Sequence, residues 1–96
     1  MRKLIFHPDV KNEIKYSYRW YEKQAEGLGE DFLNELEASY QIITEFSEAW
    51  HNFQDGFKRY VLAKFPFSII YRKSGGKIYI IAVMHNRRKP GYWHKR

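Results

Sequence analysis

The chain contains no cysteine, which excludes disulfides and thiolate metal sites and removes the usual pointer to an oxidising compartment. Its four histidines, His7, His51, His85 and His94, form no helical i, i+4 pair and no compact set with carboxylates, so no metal centre is expected. Long apolar runs are also missing. The N-terminal MRKLIFHPDV offers only Leu4 to Phe6, too short for a signal-peptide core or a membrane span, and a cytoplasmic protein with no membrane association is expected. No G-x-G-x-x-G, G-x-x-x-x-G-K or G-x-S-x-G occurs, so phosphate loops and the nucleophile elbow are absent and no cofactor is expected. One further absence concerns charge: beyond Asp55 there is no Asp or Glu.

What is present fits one core. The 96 residues are 44% hydrophobic and 19% aromatic, which is enough for a compact globule spanning residues 1–96 as one domain. Residues 1–57 hold 6 Lys or Arg against 11 Asp or Glu, whereas residues 58–96 hold 11 Lys or Arg and no acid. The halves therefore carry −5 and +11, giving the net +6. A basic half of this kind reads as a surface for a polyanion, nucleic acid or an acidic protein segment. A merely solvated basic face is the competing reading.

The pattern along the chain sets the element order. RKLIFH reads as a strand, and Pro8-Asp9 opens a helix with proline in its first turn. Val10, Ile14, Tyr18, Tyr21 and Ala25 recur at helical spacing, ending near Gly27. Gly27-Leu28-Gly29 makes a turn, and Glu30-Asp31 place negative charge at the start of a second helix bearing Leu33, Leu36, Tyr40 and Ile43, with Phe32 and Phe46 on its flanks. Residues 47–56 read as a loop with room for a short helical turn. FKRYVLAKF, FPFSIIYRK and KIYIIAVMH then read as three antiparallel strands, the last two joined by Ser74-Gly75-Gly76. The first strand joins this sheet at an edge, with the helical hairpin packed on one face.

FKRYVLAKFPFSIIYR, the glycine hairpin and IYIIAVMHNRRKPGYW together resemble the RelE/ParE superfamily, the plasmid-stabilisation toxins of type II toxin-antitoxin modules. The likeness rests on Arg59-Tyr60, Phe65-Pro66-Phe67 leading to Tyr71, and Ala82-Val83-x-His85-x-x-Arg88, in this order and at this chain length. It implies an α+β fold, β-α-α-β-β-β, with a helical hairpin on a twisted four-stranded, mainly antiparallel sheet. It also implies growth arrest and a cognate acidic antitoxin as partner. Two mechanisms occur in the superfamily: messenger RNA cleavage on the ribosome, and inhibition of DNA gyrase without nuclease activity.

Metal-free RNA cleavage needs an acid-base pair and cations to offset the phosphorane charge. His85, Arg88 and Tyr92 offer such a catalytic set and tip the reading toward an mRNA endoribonuclease, with Lys58, Arg59, Arg72, Arg87, Lys89 and Trp93 as nucleic-acid or target contacts. Tyr92 is the position that resembles the functional tyrosine of the nuclease branch. Against this, the strand FSIIY has Ser68 where many such nucleases carry an arginine. Duller roles compete: His85 satisfying backbone at a strand end, Tyr92 and Trp93 covering the core, Arg59 facing solvent. The alternative is a gyrase inhibitor whose basic half is a binding surface, and a third is a basic nucleic-acid-binding module, for which no RNA-recognition motif is found.

Overall fold

The computed structural model describes residues 3–50 and 56–96. The elements are β1 (Lys3–Phe6), α1 (Pro8–Gln24), α2 (Leu28–Glu45), β2 (Lys58–Val61), β3 (Phe67–Ser74) and β4 (Lys77–His85). His51 and the centre of the expected 47–56 loop lie outside the described residues.

The expected order β-α-α-β-β-β is the order found. His7 caps α1: its Nδ1 accepts from the Asp9 N–H at 3.1 Å, and Pro8 fills the first turn, where no N–H is needed. The helix stops at Gln24, three residues before Gly27, because Ala25 turns extended and Glu22 reaches over the connection. Its carboxylate accepts from Gly27 N–H at 3.1 Å and Gly29 N–H at 2.8 Å. Gly27, at φ 86°, therefore serves as the N-cap of α2 and does not close α1.

The four strands form one sheet in the order β1-β4-β3-β2. β1 runs parallel to β4, from Lys3 opposite Lys77 to Phe6 opposite Ile80, and the remaining pairs are antiparallel. Gly75 and Gly76 both take positive φ, 58° and 77°, which the tight β3–β4 turn requires. The register slips at Ile70/Tyr71, where Ile70 faces Ala82 but Tyr71 faces Ile80. Ile81 is thus the extra residue of a bulge on β4.

The helical hairpin covers one face, and its centre is aromatic. Tyr21, Phe32, Phe65 and Phe67 meet with centroids 4.9 to 6.0 Å apart, and Leu36, Tyr40 and Ile43 continue the core along α2. Phe32 is fully buried while Leu33 is half-buried and Phe46 is exposed, so α2 is rotated relative to the stripe expected from spacing. Rings from β3 and the preceding turn select Phe32 as their partner.

A second core lies on the opposite face. Phe57, Ile70, Ile81, Ala82 and Met84 pack there beneath Trp93, which is fully buried. With both faces covered, β3 and β4 need apolar residues at nearly every position, which is why FSIIY and IYIIAVM do not alternate. β2 is shorter than FKRYVLAKF suggests. Glu35 of α2 accepts from Ala63 N–H at 2.5 Å and Lys64 N–H at 3.0 Å, and Leu62 N–H bonds Phe67 O at 2.9 Å, turning the chain after Val61.

Candidate functional site

β1 is four residues long and β4 nine, so part of the β4 edge runs past its partner. The last backbone bond of the β1 side is from His7 N–H to Ile80 O at 2.9 Å. Further along, side chains stand in for a strand. Glu13 Oε1 accepts from Val83 N–H at 3.0 Å, and Arg96 Nη1 donates to Ile81 O at 3.1 Å. These two side chains also bond each other, Arg96 Nη1 to Glu13 Oε2 at 2.9 Å, and Arg96 lies 3.6 Å from Asp9.

Tyr92 joins the same carboxylate: its hydroxyl donates to Glu13 Oε2 at 2.8 Å. Burial raises the phenol pKa well above the ordinary tyrosine value, and the hydrogen bond to Glu13 and its negative charge add to the rise, against the partial offset of Arg88 and Arg96. The Tyr92 hydroxyl is thus committed as a donor to Glu13. The guanidinium carbon of Arg88 sits 3.6 Å over the Tyr92 ring, a close cation–π stack.

Beside this edge, α1 and the ends of β3 and β4 enclose a groove of about 800 Å³. Tyr16 (75% exposed) and Trp20 (51% exposed) flank it from α1, Phe67 and Val83 line it from the sheet, and His85 and Arg88 border it from the end of β4 and the turn beyond. Two large exposed aromatics beside a groove mark an interaction surface. His85 Nδ1 accepts from Arg87 N–H at 3.1 Å, which assigns the proton of the neutral ring to Nε2, and the Phe67 ring lies 5.1 Å away, edge to face.

The expected site residues thus separate into groups. Arg88 and Tyr92 are in contact, and His85 shares the groove with Arg88. Arg87 and Lys89 are exposed in the turn after β4. Arg72 is exposed and lies 5.5 Å over the Phe57 ring. Arg59 does not face solvent freely: Nε donates to Ser68 Oγ at 2.9 Å and Nη2 to Asn86 Oδ1 at 3.2 Å, while the Ser68 hydroxyl donates to Asn86 Oδ1 at 2.6 Å.

Two expected contact residues are occupied elsewhere. Lys58 Nζ donates to Trp50 O at 3.0 Å on the helix side. Trp93, expected as a target contact, has no exposed surface and packs 4.8 Å from Phe57, its indole N–H directed at Met84 Sδ at 3.3 Å. Lys73 pairs with Glu48 and Arg96 with Glu13. The basic half is therefore divided: some cations tie the sheet and tail to α1 and to the segment after α2, and others remain outward.

Sequence reasoning missed Glu13. A signal existed, because position 13 falls on the same stripe as Val10, Ile14, Ser17 and Tyr21, so a carboxylate was aimed toward the sheet. Asn86 carried no comparable signal, and Ser68 stood out only for the arginine it replaces. No helix among the described residues is long and apolar enough to cross a membrane, and among the described residues no group of three His, Cys, Asp or Glu could hold a metal ion.

A helical hairpin on a four-stranded mixed sheet is the α+β architecture of ParE-like toxins of type II toxin-antitoxin modules. The family model described as the ParE toxin of the type II toxin-antitoxin system parDE matches residues 4–90. The chain belongs to the ParE toxin family. A solved structure, the chromosomal ParDE TA system from P. aeruginosa, shares the fold with a TM-score of 0.68 at 16% identity, covering 88% of this chain and 96% of that one. No curated protein matches the sequence.

Proposed function

We propose that the protein, as one domain spanning residues 1–96, arrests growth in the cytoplasm by binding DNA gyrase, and that a cognate acidic antitoxin neutralises it. The observation that carries this reading is the state of Tyr92. An RNA-cleaving tyrosine must exchange a proton with substrate, yet this hydroxyl is committed as a donor to Glu13 and has Arg88 stacked on its ring. Ser68, at the strand position where a phosphate-stabilising arginine is expected of a nuclease, is fully buried and bonded to Asn86. The arrangement suits holding a partner more than turning one over.

The antitoxin contributes apolar side chains to the groove between Trp20 and Phe67, and its carboxylates meet Arg87, Arg88 and Lys89 at the β4 exit. Apolar burial supplies most of the affinity, while the charges steer encounter and set specificity. Ribosome-dependent cleavage is the competing reading, favoured by His85 and Arg88 bordering one groove with the His85 Nε2 proton available.

Induction in cells separates the two. Gyrase inhibition leaves messages intact and relaxes plasmid supercoiling or produces gyrase-linked DNA breaks. Discrete cuts within A-site codons by primer extension, with normal plasmid topology, would instead establish the nuclease.

A further inference from the structure

The carboxylate of Glu13 on α1 gathers three donors from β4 and the tail, 70 to 83 positions away in the chain. It accepts from Val83 N–H on β4, from the Tyr92 hydroxyl and from Arg96 in the tail, and its side chain is only 12% exposed. Trp93 already anchors the tail on the far face of the sheet, so Glu13 is not needed to keep the tail attached. What it adds is direction. Backbone bonds from His94 N–H to Gly91 O and from Arg96 N–H to Trp93 O turn the tail around Trp93, and the bonds of Tyr92 and Arg96 to Glu13 fix how its two flanks face α1. The orientation of the Tyr92 ring in turn decides where Arg88 rests, because the guanidinium lies 3.6 Å over it.

We propose that Glu13 is the positioning residue for the target-facing tail. Through Tyr92 it holds Arg88 at the groove, alongside His85, so that the cation is presented in one place before a partner arrives. A long arginine otherwise loses rotamer freedom on binding, and a prearranged stack lowers that cost. The chemistry it would meet is an anionic group, a carboxylate or a phosphate, on the target. This inference rests on the reading of the protein as a toxin that binds gyrase.

The test compares Glu13→Gln, Tyr92→Phe and Arg88→Ala with the unaltered chain, with Glu13→Ala as a stronger perturbation if it folds. In Glu13→Gln the amide oxygen can still accept from Val83 N–H, but Arg96 loses its carboxylate and Tyr92 its anionic acceptor. The first readout is the ring-current shift of the Arg88 side-chain protons by NMR, a property that a general loss of stability does not move. It is expected to shrink in Glu13→Gln and Tyr92→Phe, with amide exchange accelerating at residues 92–96. The second is the toxin concentration giving half-inhibition of gyrase supercoiling, expected to rise about ten-fold in Glu13→Gln, the worth of roughly one charge-assisted hydrogen bond. Arg88→Ala should lose inhibition with tail exchange unchanged.

Unaltered Arg88 shifts in Glu13→Gln overturn the proposal, as does a loosened tail with full inhibition. If the unaltered chain does not inhibit gyrase, the target reading fails by itself. The shifts, the exchange rates and growth arrest in the same variants then decide the role of Glu13 independently.

Discussion

Replacing Trp93 by alanine tests whether the tail is part of the fold or a free arm. Trp93 has no exposed surface, its ring meets Phe57 at 4.8 Å, and its indole N–H points at Met84 Sδ at 3.3 Å. Deleting a buried aromatic of this size costs about 3–5 kcal/mol, through lost transfer energy and the cavity left behind. A chain of this length has a total stability on the order of 5–14 kcal/mol, so the loss is a large share of it. At about 4–8 °C per kcal/mol for a domain this small, the thermal midpoint should fall by roughly 12–40 °C. Trp93→Phe keeps a ring against Phe57 and loses the indole N–H and some volume, so about 1–2 kcal/mol is expected. Urea unfolding followed by far-UV circular dichroism measures both. A cost below about 1 kcal/mol for Trp93→Ala would mean that Trp93 is not packed in solution and that the tail is a free arm.

Three further outcomes follow from the same geometry. Burial raises the pKa values of Tyr40 and Tyr71, with Glu37 and Glu48 adding to the respective shifts, and burial with Glu13 raises Tyr92. Above about pH 10, where tyrosines of the unfolded chain ionise, the folded state binds more protons than the unfolded one. Stability should be insensitive to these groups below that pH and fall as pH rises beyond it, with a shallower fall in Tyr92→Phe, as urea midpoints from pH 8 to 11 would show. Gly29→Ala places a methyl 2.8 Å from the Tyr18 ring and 2.9 Å from Glu22 Oε1, against the carboxylate that caps α2. A loss of about 1–3 kcal/mol is expected, read from the denaturant midpoint. Glu35→Ala leaves the N–H groups of Ala63 and Lys64 without their carboxylate, and a loss of about 1–2 kcal/mol with faster amide exchange at both positions is expected.

Local signals were the legible ones. The β3–β4 hairpin announced itself through Gly75-Gly76 between aromatic and β-branched runs, and α1 through Pro8 and its apolar spacing. What escaped was decided by partners distant in the chain. The stripe on α2 shifted from Leu33 to Phe32 because Phe65 and Phe67 offer rings to stack with, and spacing alone does not weigh that preference. The second half of FKRYVLAKF left the sheet because Glu35, on another element, captures its amides.

The tail shows the same division. Its mixture of cations and aromatics marked it as a boundary of the site, and Arg88 and Tyr92 are in contact there. That Trp93 would fill a second core, and that Tyr92 and Arg96 would converge on Glu13, could not be read from composition. Those contacts span 79 and 83 positions.

The central claim, action by binding without RNA chemistry, is tested most directly with purified components. Toxin is titrated into a gyrase supercoiling reaction and, in parallel, into a translating ribosome reaction with a defined message. Saturable inhibition of supercoiling, retained in His85→Ala, with the message intact, is the expected result. Undisturbed supercoiling together with message cleavage that His85→Ala abolishes would contradict it.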